Sequence, residues 1–335
     1  MEKNVSKKSD IDFVVLWVDS NDPKWQKMYT DFTGKRIVKE SNRYRDWGTF
    51  KYWFRAVDKY APWVNSIYFI TCGQKPDFLN TAHPKLKCIN HTDYIEKEYL
   101  PTFNSSVIEL NIHKIKDLSE RFVLFNDDIF LNAPVKETDF FVNGLPCDNA
   151  VLDMILPLGE NDVFYHTILN NVDIINKYYN KKKVVRNNKS AWYNVKYGKE
   201  IARNLCLSPW KHFAGFKDYH VANSFLKSSF EEVYKREPEA FERTFKNHFR
   251  GWDDITQYLI RYYQLCEGRF HPYRKRGKFF EIGKQTDAII KAISEEKYKY
   301  ICMNDDSEDI DFEYNKKLII EALEKKFPEK SSFEL

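Results

Sequence analysis

Hydrophobic and polar positions fall into two periods along the N-terminal part of the chain. Residues 11–18 (IDFVVLWV) form a β-branched and aromatic run that ends at Asp19 and is followed by the turn-rich SNDP. A short, continuously apolar run closed by turn residues predicts a buried strand that delivers an acid at its C-terminal end. Residues 66–71 (SIYFIT) predict a second strand, residues 87–90 (KCIN) a short third, and residues 121–125 (RFVLF) a fourth that runs into Asn126, Asp127 and Asp128. Between them, residues 49–60 and 106–114 place apolar side chains at helical spacing. Strand and helix in alternation predict an α/β fold with a parallel or mixed sheet, whose ligand site lies off the carboxyl ends of the strands.

Beyond this core the period changes. Over residues 162–246 it is helical and the strand signal fades; residues 187–197 are polar and read as a loop. Residues 231–245 predict a helix interrupted near Pro238, and 253–265 another. After a basic stretch over 269–278, residues 279–282 are expected to return one strand to the sheet. Residues 298–303 (YKYICM) predict a further strand ending in Asn304, Asp305 and Asp306, and 316–326 a closing amphipathic helix. The expected organisation is an α/β core over 1–160, a mainly helical lobe over 161–270, and a return to the core sheet over 271–335. No internal repeat or low-complexity linker interrupts it.

Composition narrows the class. With 43% hydrophobic and 30% charged residues among 335, the chain reads as a folded, water-soluble protein. A net charge of only +4 argues against a nucleic-acid partner. Local basic runs, Lys181 to Lys183 and Arg274 to Lys278, read as solvated loops or as contacts to an anionic glycan or a membrane surface. The six cysteines include no CxxC pair, which fits a reducing compartment. Residues 1–12 lack the apolar stretch of a signal peptide, and no run approaches the roughly 18 apolar residues of a membrane span. The expected location is cytoplasmic, with room for peripheral docking on the inner face of the membrane.

The sharpest local feature is Asp127-Asp128 after a predicted strand. Two adjacent carboxylates raise each other's pKa, and a divalent cation would relieve the repulsion. A strand-end turn with an N-cap Asp explains the pair equally well. Asn304-Asp305-Asp306 repeats the pattern and carries the same two readings. Glu109 and His113 stand four residues apart, as a base with its orienting acid or as a surface ion pair. Arg43 and Arg45 precede the 49–60 helix, where arginine suits phosphate or an ordinary salt bridge. His220 and Arg250 lie in the helical region, promoted by no spacing rule. The chain has no GxSxG, P-loop or GxGxxG, which disfavours serine hydrolases, P-loop kinases and dinucleotide oxidoreductases. The residues alone lead to a metal-assisted α/β transferase and leave the transferred group unnamed.

Several blocks together resemble the Stealth family of sugar-phosphate transferases. They are IDFVVLWVDSNDPKW at 11–25, the long stretch from NRYRDWGTFKYW through LPTFNSSVIELNIHKIKDLSERFVLFNDDIFL, YHVANSFLKSSFEEVYKREPEAFERTFKNHFRGWDD, and ICMNDD with FPEKSSFE. The resemblance implies a Rossmann-like or GT-A-like mixed sheet flanked by helices, with nucleotide-sugar binding in the first segment and a catalytic His and Arg in the helical lobe. It implies that Asp19 lines the nucleotide end and Arg43 meets donor phosphate. Asp127, Asp128, Asn304 and Asp305 would serve a metal, and Asp128, His220, Arg250, His113 and Glu109 catalysis. Gly48 and Thr49 depart from acidic residues of some relatives, and Asn223 stands where some have a second His.

The implied reaction moves a hexose-1-phosphate or N-acetylhexosamine-1-phosphate from a UDP-sugar to a glycan hydroxyl, lipid-linked or free. It would use Mg²⁺ or Mn²⁺, release UMP and serve capsular or exopolysaccharide synthesis. The general base is left open among His220, His113 and an Asp. A metal-dependent glycosyltransferase releasing UDP is the alternative. A non-catalytic glycan-binding scaffold of capsule assembly is a third reading, and the acidic pairs at strand ends weigh against it.

Overall fold

The computed structural model describes residues 10–35, 45–157, 159, 162–305 and 310–335. Arg43 and Asp306 lie outside the described residues. The core is a five-stranded sheet ordered β3-β2-β1-β4-β8. Its strands are β1 (Ile11–Leu16), β2 (Ile67–Thr71), β3 (Leu86–Asn90) and β4 (Arg121–Phe125), all parallel, with β8 (Asn223–Leu226) antiparallel on the β4 edge. β1, β2 and β4 are almost continuously buried and rich in β-branched and aromatic residues because both faces of the sheet are covered there, whereas β3 on the edge is largely exposed. The chain leaves β1 toward β2 and β3, then crosses to the opposite side of β1 to form β4. The crevice between the C-terminal ends of β1 and β4 is therefore the topological switch point, where such sheets bind ligands.

Helix α1 (Pro23–Thr33) starts directly after β1. Pro23 sits at its first position, and Asp22 caps it by accepting from the amides of Lys24 and Trp25 at 2.6 and 3.1 Å. Helix α2 (Phe50–Tyr60) buries Phe50, Trp53, Phe54 and Val57 against one face of the sheet. Trp53, Phe54, Phe13, Phe69 and Phe125 are fully enclosed, each contributing on the order of 2–3 kcal/mol of burial. Arg55, also on α2, grips Glu334 through two bonds of 2.8 and 2.9 Å and donates to the Phe327 carbonyl at 2.7 Å. That clamp fastens the C-terminal segment to the core.

The other face carries the short helix α3 (Ser105–Leu110) and the helical region that follows β5 (Ile129–Leu131), β6 (Phe141–Val142) and β7 (Leu145–Asp148). That region comprises α4 (Val163–Tyr178), α5 (Lys181–Asn187), α6 (Lys189–Trp192) and α7 (Ile201–Cys206). After β8 come α8 (Lys227–Arg236), α9 (Pro238–Phe245) and α10 (Tyr258–Cys266), with Pro238 opening α9 at the expected break. The expected loop at 187–197 is instead α6 with a flanking 3-10 turn at Val195–Glu200, because Trp192 and Tyr197 are buried anchors within the polar stretch. Strand β8 interrupts the expected helical run, and its four residues are buried.

The chain after the lobe builds a different sheet from the one expected. β9 (His271–Pro272) pairs with β7. β10 (Gly277–Glu281) and β11 (Tyr300–Asn304) join β5 in a three-stranded sheet ordered β10-β11-β5 rather than rejoining the core. β11 runs antiparallel to β5, and the Met303 amide donates to the Asp128 carbonyl at 2.9 Å. Helices α11 (Thr286–Glu295) and α12 (Phe312–Lys326) pack on each other and close the molecule.

A buried ion network ties the helical lobe to this frame. Arg261 on α10, 1% exposed, holds Asp148 at the end of β7 through bonds of 2.8 and 3.0 Å, and also binds Asp218. Tyr262 donates to Asp218 as well, and Lys275 reaches Asp148 at 3.5 Å and donates to Asn223 on β8. Lys275 is thereby removed from the surface-exposed basic patch expected over 274–278. Lys181 is likewise buried, donating to the carbonyls of Leu207 and Trp210. Removing one cation from such a network leaves carboxylates buried without a partner. Arg261→Met should therefore cost about 3–5 kcal/mol in urea unfolding, and a loss below about 1 kcal/mol would mean that the lobe holds without it.

Candidate active site

A cleft of about 560 Å³ opens where β1 and β4 end. Its wall includes Asp19, Arg45, Ser105, Glu109, Asp127, Asp128, His220, Arg250, Asn304 and Asp305, so residues from every segment of the chain converge on it. Trp17 and Phe50, stacked with centroids 5.6 Å apart, form an apolar part of the lining.

Each side chain has a local cause for its place. The loop after β1 is pinned by Gln74, which accepts from the Asp19 amide at 3.0 Å and donates to the Asp19 carbonyl at 2.6 Å. Asp127 and Asp128 occupy a three-residue turn, 126–128, between β4 in one sheet and β5 in the other, closed by the Ile129 amide on the Asn126 carbonyl at 3.1 Å. Asp127 keeps solvent access through the cleft mouth, yet protein walls surround it. That desolvation, and then the charge of Asp128, push its carboxyl up to about 7. The Oδ1 of Asp128 is buried and has no hydrogen-bond partner among the described residues. Its Oδ2 lies 3.4 Å from the Asn304 amide nitrogen, 3.1 Å from the Cys302 sulfur and 4.0 Å from His220 Nε2.

His220 reaches the cleft from the turn preceding β8, with a left-handed backbone (φ +47°) that reverses the chain and its ring edge-on to Phe279 at 5.5 Å. Arg250 sits in a loop organised by Asp254. That carboxylate accepts from Asn104 and Asn247, both at 2.7 Å, and from the Gly251 amide at 2.8 Å. Asn104 also caps α3, accepting from the Ser106 amide at 3.1 Å, so the same residue fixes Ser105 beside Arg250. Arg250 donates to the Ser105 hydroxyl at 2.6 Å. Glu109 is buried in the wall; desolvation pushes its carboxyl up to about 7, against the opposing pull of Arg250.

Two expected groupings change. His113 does not line the cleft. Helix α3 ends at Leu110, so the four-residue spacing to Glu109 is not helical. His113 lies in a 3-10 turn with Nδ1 2.9 Å from the Leu110 carbonyl and its ring against Phe230 and Tyr234. Asp305 faces Arg45 at 3.3 Å and accepts from the Trp47 indole at 3.0 Å, engaging both carboxylate oxygens away from Asp128. Of the second NDD, Asn304 is the member that meets Asp128. Asn223 accepts from Lys275.

Sequence reasoning missed Ser105 in the wall and Cys302 and Asp254 behind it, and left Arg45 open between phosphate binding and a salt bridge. Cys302 was findable, because a strand puts residues two apart on one face and Cys302 shares that of Asn304.

The donors present suit a hard divalent cation. They are adjacent carboxylates with raised repulsion, an orphaned buried oxygen on Asp128 and a neighbouring amide. The switch-point cleft thus gathers paired carboxylates, an Arg and a His, the kinds of group that phosphoryl transfer uses to place charge and move a proton.

Comparison with known proteins agrees. Residues 43–147 match the model described as Stealth protein CR2, conserved region 2. A capsular polysaccharide phosphotransferase, WcwK, of Streptococcus pneumoniae is 50% identical over 97% of this chain and 98% of its own length. The exopolysaccharide phosphotransferase cps2G of Lactiplantibacillus plantarum is 43% identical over 97% and 96%. The receptor polysaccharide phosphotransferase WefC of Streptococcus oralis is 37% identical over 97% and 99%. The chain belongs to the Stealth family of bacterial phosphotransferases, and it is a transferase. Among solved structures, apo mouse xyloside xylosyltransferase 1 overlays with a TM-score of 0.40 at 11% identity, covering 88% of this chain and 96% of that one. No helix among the described residues is long and apolar enough to cross a membrane.

The placement of His113 has a measurable consequence. Burial lowers its pKa to about 4, so the folded state binds its proton less well than the unfolded state does. Its stabilising contribution is complete above the unfolded value of 6.5 and is lost as the pH falls from there toward 4. In urea unfolding across that interval, His113→Gln should remove up to about 3 kcal/mol of acid sensitivity relative to wild type. It should leave turnover unchanged. A large fall in turnover at neutral pH would put His113 back in the chemistry.

Proposed function

We propose that the protein transfers hexose-1-phosphate or N-acetylhexosamine-1-phosphate from a UDP-sugar to a hydroxyl of a glycan acceptor in capsular or exopolysaccharide synthesis. UMP leaves and a phosphodiester forms. The observation that carries the reading is the convergence of His220, Arg250 and the Asp127-Asp128 turn on one cleft at the switch point. WcwK, cps2G and WefC, each a polysaccharide phosphotransferase, support it.

The acceptor oxygen attacks the β-phosphorus, and the bond from that phosphorus to the oxygen bridging to the α-phosphate breaks, that oxygen leaving on UMP. Such a transfer rests on positioning and on charges placed in advance. Arg250, oriented by Ser105, supplies one fixed cation, and Arg45, held by Asp305, supplies another at the mouth. His220 takes the proton of the acceptor hydroxyl, and the Asp128 carboxylate 4.0 Å away stabilises the imidazolium that results. Asp19 lines the nucleotide end, where Gln74 fixes its backbone. Asp127, Asp128 and Asn304 would hold Mg²⁺ or Mn²⁺, which supplies neutralisation of the donor diphosphate. The Glu109 carboxyl, buried in the wall, feels the charge of Arg250, which draws its raised pKa back down.

Incubation with UDP-sugars, Mg²⁺ and an oligosaccharide acceptor tests the reading by separating UMP from UDP. The expected products are UMP and a phosphodiester-linked glycan. His220→Ala should reduce the rate by about 10²–10⁴-fold and Arg250→Ala by about 10²–10³-fold. UDP with a plain glycosidic bond would instead make the enzyme a glycosyltransferase. Glycan binding without turnover, unaffected by Asp127→Ala and Asp128→Ala, would make it a scaffold.

A further inference from the structure

Just behind the cleft wall, beside the oxygen ligands, lies a second kind of metal chemistry. Cys302 is completely buried on β11, and its sulfur lies 3.1 Å from Asp128 Oδ2. His220 Nε2 approaches the same oxygen at 4.0 Å from the opposite element, the turn before β8. One ligand atom from each of Asp128, His220 and Cys302 lies within 4.8 Å of the other two. Around a tetrahedral Zn²⁺ with bonds of about 2.0–2.3 Å, ligand atoms stand roughly 3.3–3.8 Å apart, so small side-chain movements close the set.

We propose that Asp128, His220 and Cys302 form a three-ligand site for a thiophilic divalent cation of the Zn²⁺ class, with its fourth position open to the cleft. The ligand set selects for such an ion: a buried sulfur with an imidazole suits Zn²⁺, Co²⁺ or Cd²⁺, while Mg²⁺ takes oxygen. The frame is prepared. The left-handed backbone at His220 and the edge-on Phe279 hold the imidazole, while β11 pairing with β5 holds the sulfur against the Asp128 turn. Asp128 Oδ1, buried and without a partner among the described residues, is a second, separate sign that this carboxylate has capacity for a ligand.

On binding, the Cys302 S–H bond breaks, a metal–sulfur bond forms, and one proton passes to solvent. The ion engages Asp128 and His220 at once. It therefore competes with Mg²⁺ for Asp128 and removes His220 from proton transfer, so a thiophilic ion acts as an off switch. The binding itself does not depend on which bond the enzyme breaks in its substrate.

Optical titration of the full-length, metal-free, tag-free protein with Co²⁺ tests the site. The expected result is one tightly bound ion per chain, with a thiolate-to-cobalt charge-transfer band in the near ultraviolet, intense tetrahedral bands in the visible, and one proton released. Added Zn²⁺ should displace the cobalt. Cys302→Ser should abolish the charge-transfer band, His220→Asn should weaken binding by about tenfold or more, and Cys206→Ser, on the exposed cysteine, should change nothing. Circular dichroism establishes that each variant is folded, and if Cys302→Ser is not, His220→Asn carries the test. A band that persists in folded Cys302→Ser, undiminished affinity in His220→Asn, or only the weak bands of octahedral cobalt would overturn the proposal.

Discussion

The three-residue turn that carries Asp127 and Asp128 belongs to two sheets at once, and the site depends on that sharing. β4 enters it from the core sheet, and β5 leaves it to pair with β11. The carboxylates are therefore fixed at a seam, with His220 arriving beside β8 on one side and Asn304 and Cys302 on β11 on the other. Placing two acids together in a walled cleft is unfavourable unless cations answer them, and Asp127 registers the strain as a carboxyl raised to about 7. A phosphate-bearing substrate adds further negative charge, so the arrangement calls for cations placed before the reaction starts.

The protein supplies some of those cations from outside the seam and holds each in place. Asp305 and the ring of Phe312 flank Arg45, and Asp254 shapes the loop of Arg250 while Asn104 ties that loop to α3. The buried Arg261–Asp148–Asp218 network acts one step further back. Asp218 is two residues before His220, so the ion network that secures the helical lobe also fixes the approach of the imidazole. Stability and site geometry are coupled here through a few fully desolvated charges.

Much of this was legible in the sequence where local pattern and tertiary role coincide. β1, β2 and β4 are largely apolar runs because they are buried on both faces, and the acids that follow β1 and β4 advertise the switch point. β8 was hidden because a four-residue edge strand within helical surroundings leaves no periodic signature, and with it went any positional reason for His220. The stretch at 187–197 looked like loop because its two buried aromatics, Trp192 and Tyr197, are outnumbered by polar neighbours. The spacing of Glu109 and His113 misled because a helix was assumed to continue past Leu110, where Asn111 instead starts a tighter turn. β10 and β11 were recognised as strands, but no sequence pattern tells which sheet a strand joins, and the long-range pairing with β5 decided it.

The proposed transfer breaks a bond of the bridge between the two phosphorus atoms of the donor and leaves the sugar–oxygen bond intact. A UDP-sugar carrying a heavy-isotope oxygen between the sugar and the β-phosphorus tests it directly, read by mass spectrometry and phosphorus NMR of the products. Sugar-phosphate transfer leaves the label in the glycan product, bridging sugar and phosphorus, while UMP leaves unlabelled. Label departing with UDP would contradict it, because the sugar–oxygen bond would then have been the one cut.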